Sequence, residues 1–177
     1  MKQLILFTLI TTTLIINGCG SEHSQIRFKD ISEIEKLNKE QFAKETATIY
    51  AQVFKEIGNL LDKYTIIDAE FEMEIDELHK NSVGQMYKYG KVLASKDPVI
   101  RNEYLKSSII AMSSAMEKME PEVLVVFEKK LNKRLPELDA CCSDYIKRKF
   151  NDLFAIMDFL DFDKIQEKYP ERDLSSL

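Results

Sequence analysis

The sequence predicts an all-α fold, a single-domain helical bundle of five or six helices behind a short leader. Apolar residues recur at three- and four-residue steps through most of the chain, the period of an amphipathic helix. Lys, Glu, Leu, Ile and Ala dominate, with only five glycines and four prolines. That composition favours helix over strand. The three cysteines include one near the start and an adjacent pair, Cys141 and Cys142. Neighbouring Cα atoms lie about 3.8 Å apart, below the usual disulfide span of about 4.4–6.8 Å. The fold is therefore expected to rest on its core and not on cross-links.

The first element is the leader, residues 1–18. Lys2 gives a positive start, and Leu4 to Ile16 is an uncharged run of apolar residues and threonines. As a helix this run rises about 20 Å, too short for a hydrocarbon core of about 30 Å. Its length and flanks fit a secretory signal. Ile16-Asn17-Gly18-Cys19 resembles the lipobox of bacterial lipoproteins, with Asn17 standing where that family carries a small or β-branched residue. The resemblance covers the leader alone. It implies cleavage between Gly18 and Cys19, with a covalent diacylglycerol and an N-acyl lipid, such as palmitate, on Cys19. Two or three acyl chains hold a protein stably at a bilayer, whereas one binds marginally. Gly20, in place of an aspartate, implies the outer membrane facing the periplasm in enteric-type bacteria, and the cell membrane where no outer membrane exists. An ordinary cleaved signal and an uncleaved anchor are the two plainer readings of the same run.

Residues 19–30 read as the lipidated cysteine and a short tether, and 31–170 as the bundle. Ser32-Glu33-Ile34-Glu35 has the pattern of a capping box opening a long helix. Its stripe runs from Ile34 to Leu61, with Gly58 as a weak point or a close crossing. Thr65-Ile66-Ile67-Asp68 reads as the next start. Residues 70–76 alternate acid and apolar, the period of a strand, but Glu, Ala and Met are poor strand residues. Helix is the reading taken, with a break at Lys80-Asn81 and a restart at Ser82. Asp97-Pro98 opens a helix rich in Ser and Ala that runs to about Met119. Pro121 opens another, to about Leu135. Its run Val123–Phe127, apolar all round, is expected at the centre of the bundle. Pro136 is expected to open the last long helix, with Leu138, Cys142, Tyr145, Leu153, Ile156 and Leu160 inward. Residues 171–177 read as a frayed C-terminus.

Charge narrows the function classes. The chain carries 25 basic and 30 acidic residues, so a basic groove for nucleic acid is not expected. Seven acids and one lysine crowd between Asp62 and Glu77. A helical wheel places Ile66, Ala69 and Met73 among them, away from the buried ridge Ile67, Phe71, Ile75 and Leu78. Ile66 and Met73, with Glu70, Glu72 and Glu74, form a candidate surface for a basic protein partner. The plainer reading is a solvated acidic face. Asp76-x-x-His79 is half of the carboxylate–histidine motif of di-iron bundles, but the only other histidine is His23, in the tether, so no metal site is expected. Lys129, Lys130, Lys133, Arg134, Lys147, Arg148 and Lys149 make one basic cluster, read chiefly as a structural helix face. Free cysteines are usually small core residues. No G-x-S-x-G, H-E-x-x-H or phosphate loop is present, and no catalytic residue or cofactor beyond the lipid is expected. The sequence-level reading is a lipid-anchored, non-enzymatic protein-binding module, in one version an immunity-type lipoprotein that neutralises a toxin in the envelope. The alternatives are a bundle binding a small molecule or lipid, and a carboxylate-dependent enzyme or metal protein.

Overall fold

The computed structural model describes residues 28–119, 121–168 and 170; side chains at 121–126, 135, 139 and 141 are not described. Cys19, the leader and residues 171–177 lie outside the described residues. The fold is all-α. Its helices are α1 (Ile31–Ile34), α2 (Lys39–Lys63), α3 (Ala69–Ala94), α4 (Pro98–Glu117), α5 (Pro121–Cys141), α6 (Asp144–Phe154) and α7 (Phe162–Lys168). A 3-10 turn, Ile156–Leu160, joins α6 to α7. Among the described residues no helix is long and apolar enough to cross a membrane.

The expected first helix is two. The Asp30 N–H donates to Glu33 Oε2 at 3.0 Å, so the cap sits two residues before the Ser32 of the sequence reading. The chain leaves α1 after Ile34, which is fully buried. It restarts where Asn38 and Gln41 cap each other: the Gln41 N–H donates to Asn38 Oδ1, and the Asn38 N–H to Gln41 Oε1. Asn beside a helix start competes for backbone donors better than mid-helix residues do. Lys29 is already docked on the domain, its ammonium on Glu45 at 2.5 Å and its carbonyl accepting from Gln85 Nε2 at 3.1 Å.

Helices α2 and α3 form an antiparallel pair. Tyr64 meets Phe71 at one end, and Phe42 meets Tyr89 edge-on at 5.0 Å near the other. α4 lies along α2 in the same direction, with Phe42 against Tyr104 and Lys39 on Glu103. Its small residue Ser108 is fully buried, as its Ser- and Ala-rich sequence anticipates. α6 runs beside α3, and the stacked Tyr87–Phe162 pair seats α7.

The centre of the bundle is α3. It is continuous through Lys80-Asn81, where a break was expected. From Ser82 to Gly90 every residue but Lys88 is buried, so neighbours on several sides hold the helix whatever its local propensity. Of the run Val123–Phe127, only Phe127 falls among the described side chains; it is half-buried against Phe54 and Phe154. Pro136 lies inside α5 and does not open a helix. A mid-helix proline costs about 3 kcal/mol, but Pro136 is exposed, and the turn beyond it carries buried Leu138 toward the core. The new start is Ser143, whose Oγ accepts the Ile146 N–H. Tyr145, expected inward, is 53% exposed; it sits in the first turn of α6, before that helix's buried stripe of Ile146, Phe150 and Leu153.

The close crossing belongs to Gly90, not Gly58. A Cβ on Gly90 would stand 2.3 Å from the Phe159 carbonyl oxygen, whereas one on Gly58 would meet only the Phe127 ring edge at 3.6 Å. Gly90→Ala should lower stability by about 1–3 kcal/mol despite alanine's better helix propensity. Gly58→Ala should raise it by about 0.5–1 kcal/mol. Urea denaturation of both variants measures the contrast, and a stabilised Gly90→Ala would contradict the close packing.

Candidate functional site: the acidic end of α3

Asp68 ends the turn after α2, and its Oδ1 accepts the N–H groups of Glu70 and Phe71 at 3.1 Å each. That cap fixes the phase of α3. Phe71 and Ile75 are fully buried against α2 and its neighbours, which turns Ala69, Glu70, Met73 and Glu77 to solvent. The acid–apolar alternation of the sequence is thereby resolved: Phe71 and Ile75 go in, and Met73 stays out. Met73 is 65% exposed, and Ile66, in the turn before the helix, is 70% exposed.

The acids divide into two sets. One set is neutralised from within. Lys130 of α5 reaches Asp62 at 2.6 Å. Glu74 accepts from Lys63 and from the Tyr64 hydroxyl. Asp76 accepts from Lys149 and, at 3.1 Å, from the Tyr145 hydroxyl. The Ser143 N–H points at Glu72 Oε1 at 3.4 Å, and Arg134 donates to the Thr65 carbonyl at 2.8 Å. The acidic stretch and the basic cluster, separate features of the sequence, thus meet at two ion pairs, Lys130–Asp62 and Lys149–Asp76. The second set faces water. Among the described residues, neither Glu70 nor Glu77 has an ionic partner. They stand three residues before Met73 and four after it, its immediate neighbours on a helix surface.

The sequence puts five residues on this surface. Ile66, Glu70 and Met73 are exposed here, whereas Glu72 and Glu74 are half-buried and turned toward α6 and α2. Glu77 was missed. Its signal was available, since four residues after Met73 is the same helical face.

The Asp76-x-x-His79 pair is pulled apart. Asp76 turns out to Lys149, while His79 points inward to Asp152 of α6, Nε2 to Oδ2 at 2.9 Å, with both side chains nearly inaccessible. Among the described residues no group of three His, Cys, Asp or Glu side chains is placed to hold a metal. Cys142 is buried at 7%, in the core position anticipated for it; the side chain of Cys141 is not described.

Hydrogen bonding from Lys149 holds the Asp76 carboxyl below its ordinary pKa, against a smaller opposing push from burial. Burial pushes Lys149 down, but its bonds to Asp76 and Tyr145 outweigh that and leave it raised. A depressed carboxylate stabilises the fold fully above its unfolded pKa of about 3.9. That contribution disappears as pH falls through the lower, folded value. Asp76 is 42% exposed, so screening limits the pair to about 1 kcal/mol or less. Asp76→Asn should therefore be slightly less stable than wild type at pH 7, with the gap shrinking as pH falls below about 4. Thermal unfolding across that range checks the sign; a gap that widens in acid would contradict it. The chain matches no protein-family model, no curated protein and no solved structure, so its own geometry carries the functional reading.

Proposed function

We propose that this chain is a lipid-anchored helical module of the bacterial envelope that binds a basic protein through Met73, Ile66, Glu70 and Glu77. Cys19 carries the lipid after cleavage at Gly18. The observation that carries the reading is the pairing of two exposed apolar side chains with two acids that no cation of the described bundle neutralises. A small apolar spot ringed by like charge suits a partner whose cations flank an apolar side chain. Its distance from the point where the chain joins the domain supports the same reading. The chain joins the domain at Lys29 beside Gln85, and Met73 lies twelve residues earlier on α3, about 18 Å along the helix. A partner at the spot is clear of that junction.

In its concrete version the partner is a toxin reaching the envelope, and the module is an immunity-type lipoprotein that covers it. Binding alone then suffices, which suits a chain without recognisable catalytic motifs.

The test is a pull-down from envelope fractions with two charge reversals. Glu70→Lys/Glu77→Lys should weaken capture of the partner by about tenfold or more. Glu72→Lys should have a smaller effect, because that carboxylate faces the start of α6. Equal capture by wild type and the double reversal removes the patch from the proposal. For the anchor, Cys19→Ala should shift the protein from the membrane pellet to the soluble fraction and abolish fatty-acid labelling. Unchanged labelling would remove the lipoprotein assignment.

A further inference from the structure

Helix α4 packs on α2 through one face and leaves the opposite face open. Val99 is 68% exposed, Ile110 59%, Ile100 47% and Ile109 42%. At 100° per residue Val99, Glu103, Lys106 and Ile110 fall within an arc of about 60° and span about 16 Å. The face therefore reads apolar, acid, base, apolar along one line. Glu103 is exposed and uses Oε2 on Lys39 at 3.3 Å, which leaves its other oxygen available. Lys106 is exposed and, among the described residues, has no ionic partner.

We infer that this stripe is the contact between two copies of the chain, packed with their α4 helices antiparallel about a two-fold axis. The pattern is complementary to its own reverse. The midpoint of Val99 and Ile110 is also the midpoint of Glu103 and Lys106. An antiparallel copy therefore sets Val99 against Ile110 and Glu103 within reach of Lys106, each twice, as an isologous interface requires. Parallel packing would place Glu103 on Glu103 and Lys106 on Lys106, which charge repulsion disfavours. Ile100 and Ile109 widen the two flanks and meet the small side chains of Ser107 and Asn102 in the copy. An anionic bilayer is a poorer occupant, because Glu103 stands at the middle of the stripe. About eight residues a side fall short of the roughly 20–30 of a standard interface, so the dimer is weak. It is independent of the Met73 surface, which lies on a different helix.

Sedimentation velocity of the full chain in non-ionic detergent tests it, at about 200 µM, above the micromolar dissociation constant expected of so small a contact. Wild type should sediment as a dimer. Glu103→Lys and Lys106→Glu should each weaken the dimer by about tenfold or more, and the double swap Glu103→Lys/Lys106→Glu should restore it. Ile110→Asp should be monomeric, with unchanged circular dichroism. A wild-type monomer overturns the inference, as does a dimer indifferent to the single reversals or not rescued by the swap. Wild-type monomer that floats with anionic vesicles, and ceases to on Ile110→Asp, would overturn it by assigning the stripe to lipid.

Discussion

Helix α3 has almost no outward side along its second half, and the rest of the bundle is arranged to make that possible. Gly90 lets the Phe159 carbonyl approach to a distance that any side chain would forbid. That approach brings the 3-10 turn flat against the helix, and with it the fully buried Ile156 and Phe159. Tyr89 reaches across to Glu45 of α2 at 2.5 Å, and burial together with this bond raises the tyrosine's pKa. Gln85 ties down the backbone of Lys29. The Tyr89 hydroxyl and the Gln85 Nε2 are thus spent on positioning the elements around the spine.

The same spine separates two surfaces. Its first three turns precede the densely buried stretch and present Glu70, Met73 and Glu77. Their inner neighbours Phe71 and Ile75 are locked in the core, so the outward phase cannot drift. The cations of α2 and α6 then select among the acids. Those on the inner side of the helix, Glu74 and Asp76, are bonded, and those on the outer side are left to water. What remains exposed is a remainder after internal pairing, smaller and more defined than the run of acids in the sequence. Helix α4 is built on the opposite principle. It gives one face to α2, through Ser108 and Met112, and keeps Val99, Ile100, Ile109 and Ile110 outside.

The buried His79–Asp152 pair joins the middle of α3 to the last turn of α6. Such a pair adds less net stability than its geometry implies, because both groups lose their water. Its directional bond is of use in register: sliding α6 by one turn would leave two buried polar groups without each other. The register so fixed is also what sets Tyr145 and Lys149 on Asp76 at the acidic end.

The residues alone determined the helical class, the helix starts near Asp68 and at Asp97-Pro98 and Pro121, and the inward ridge of Phe71 and Ile75, because capping chemistry and apolar period are local properties. They also determined the exposure of Glu70, since three or four residues set a helix face. What only the tertiary structure decided was which partner each face meets. Pro136 stays inside α5 because docking of the following turn outweighs a local penalty. Lys80-Asn81 stays helical because the core encloses the turns after it. Glu72 and Glu74 leave the candidate surface because cations and donors from α2 and α6 arrive beside them, tens of residues away in some cases. The stripe on α4 is visible only once α2 is seen to cover its other face. Long-range pairing leaves no periodic trace in a single chain, and that is why these features were not legible before the helices were packed.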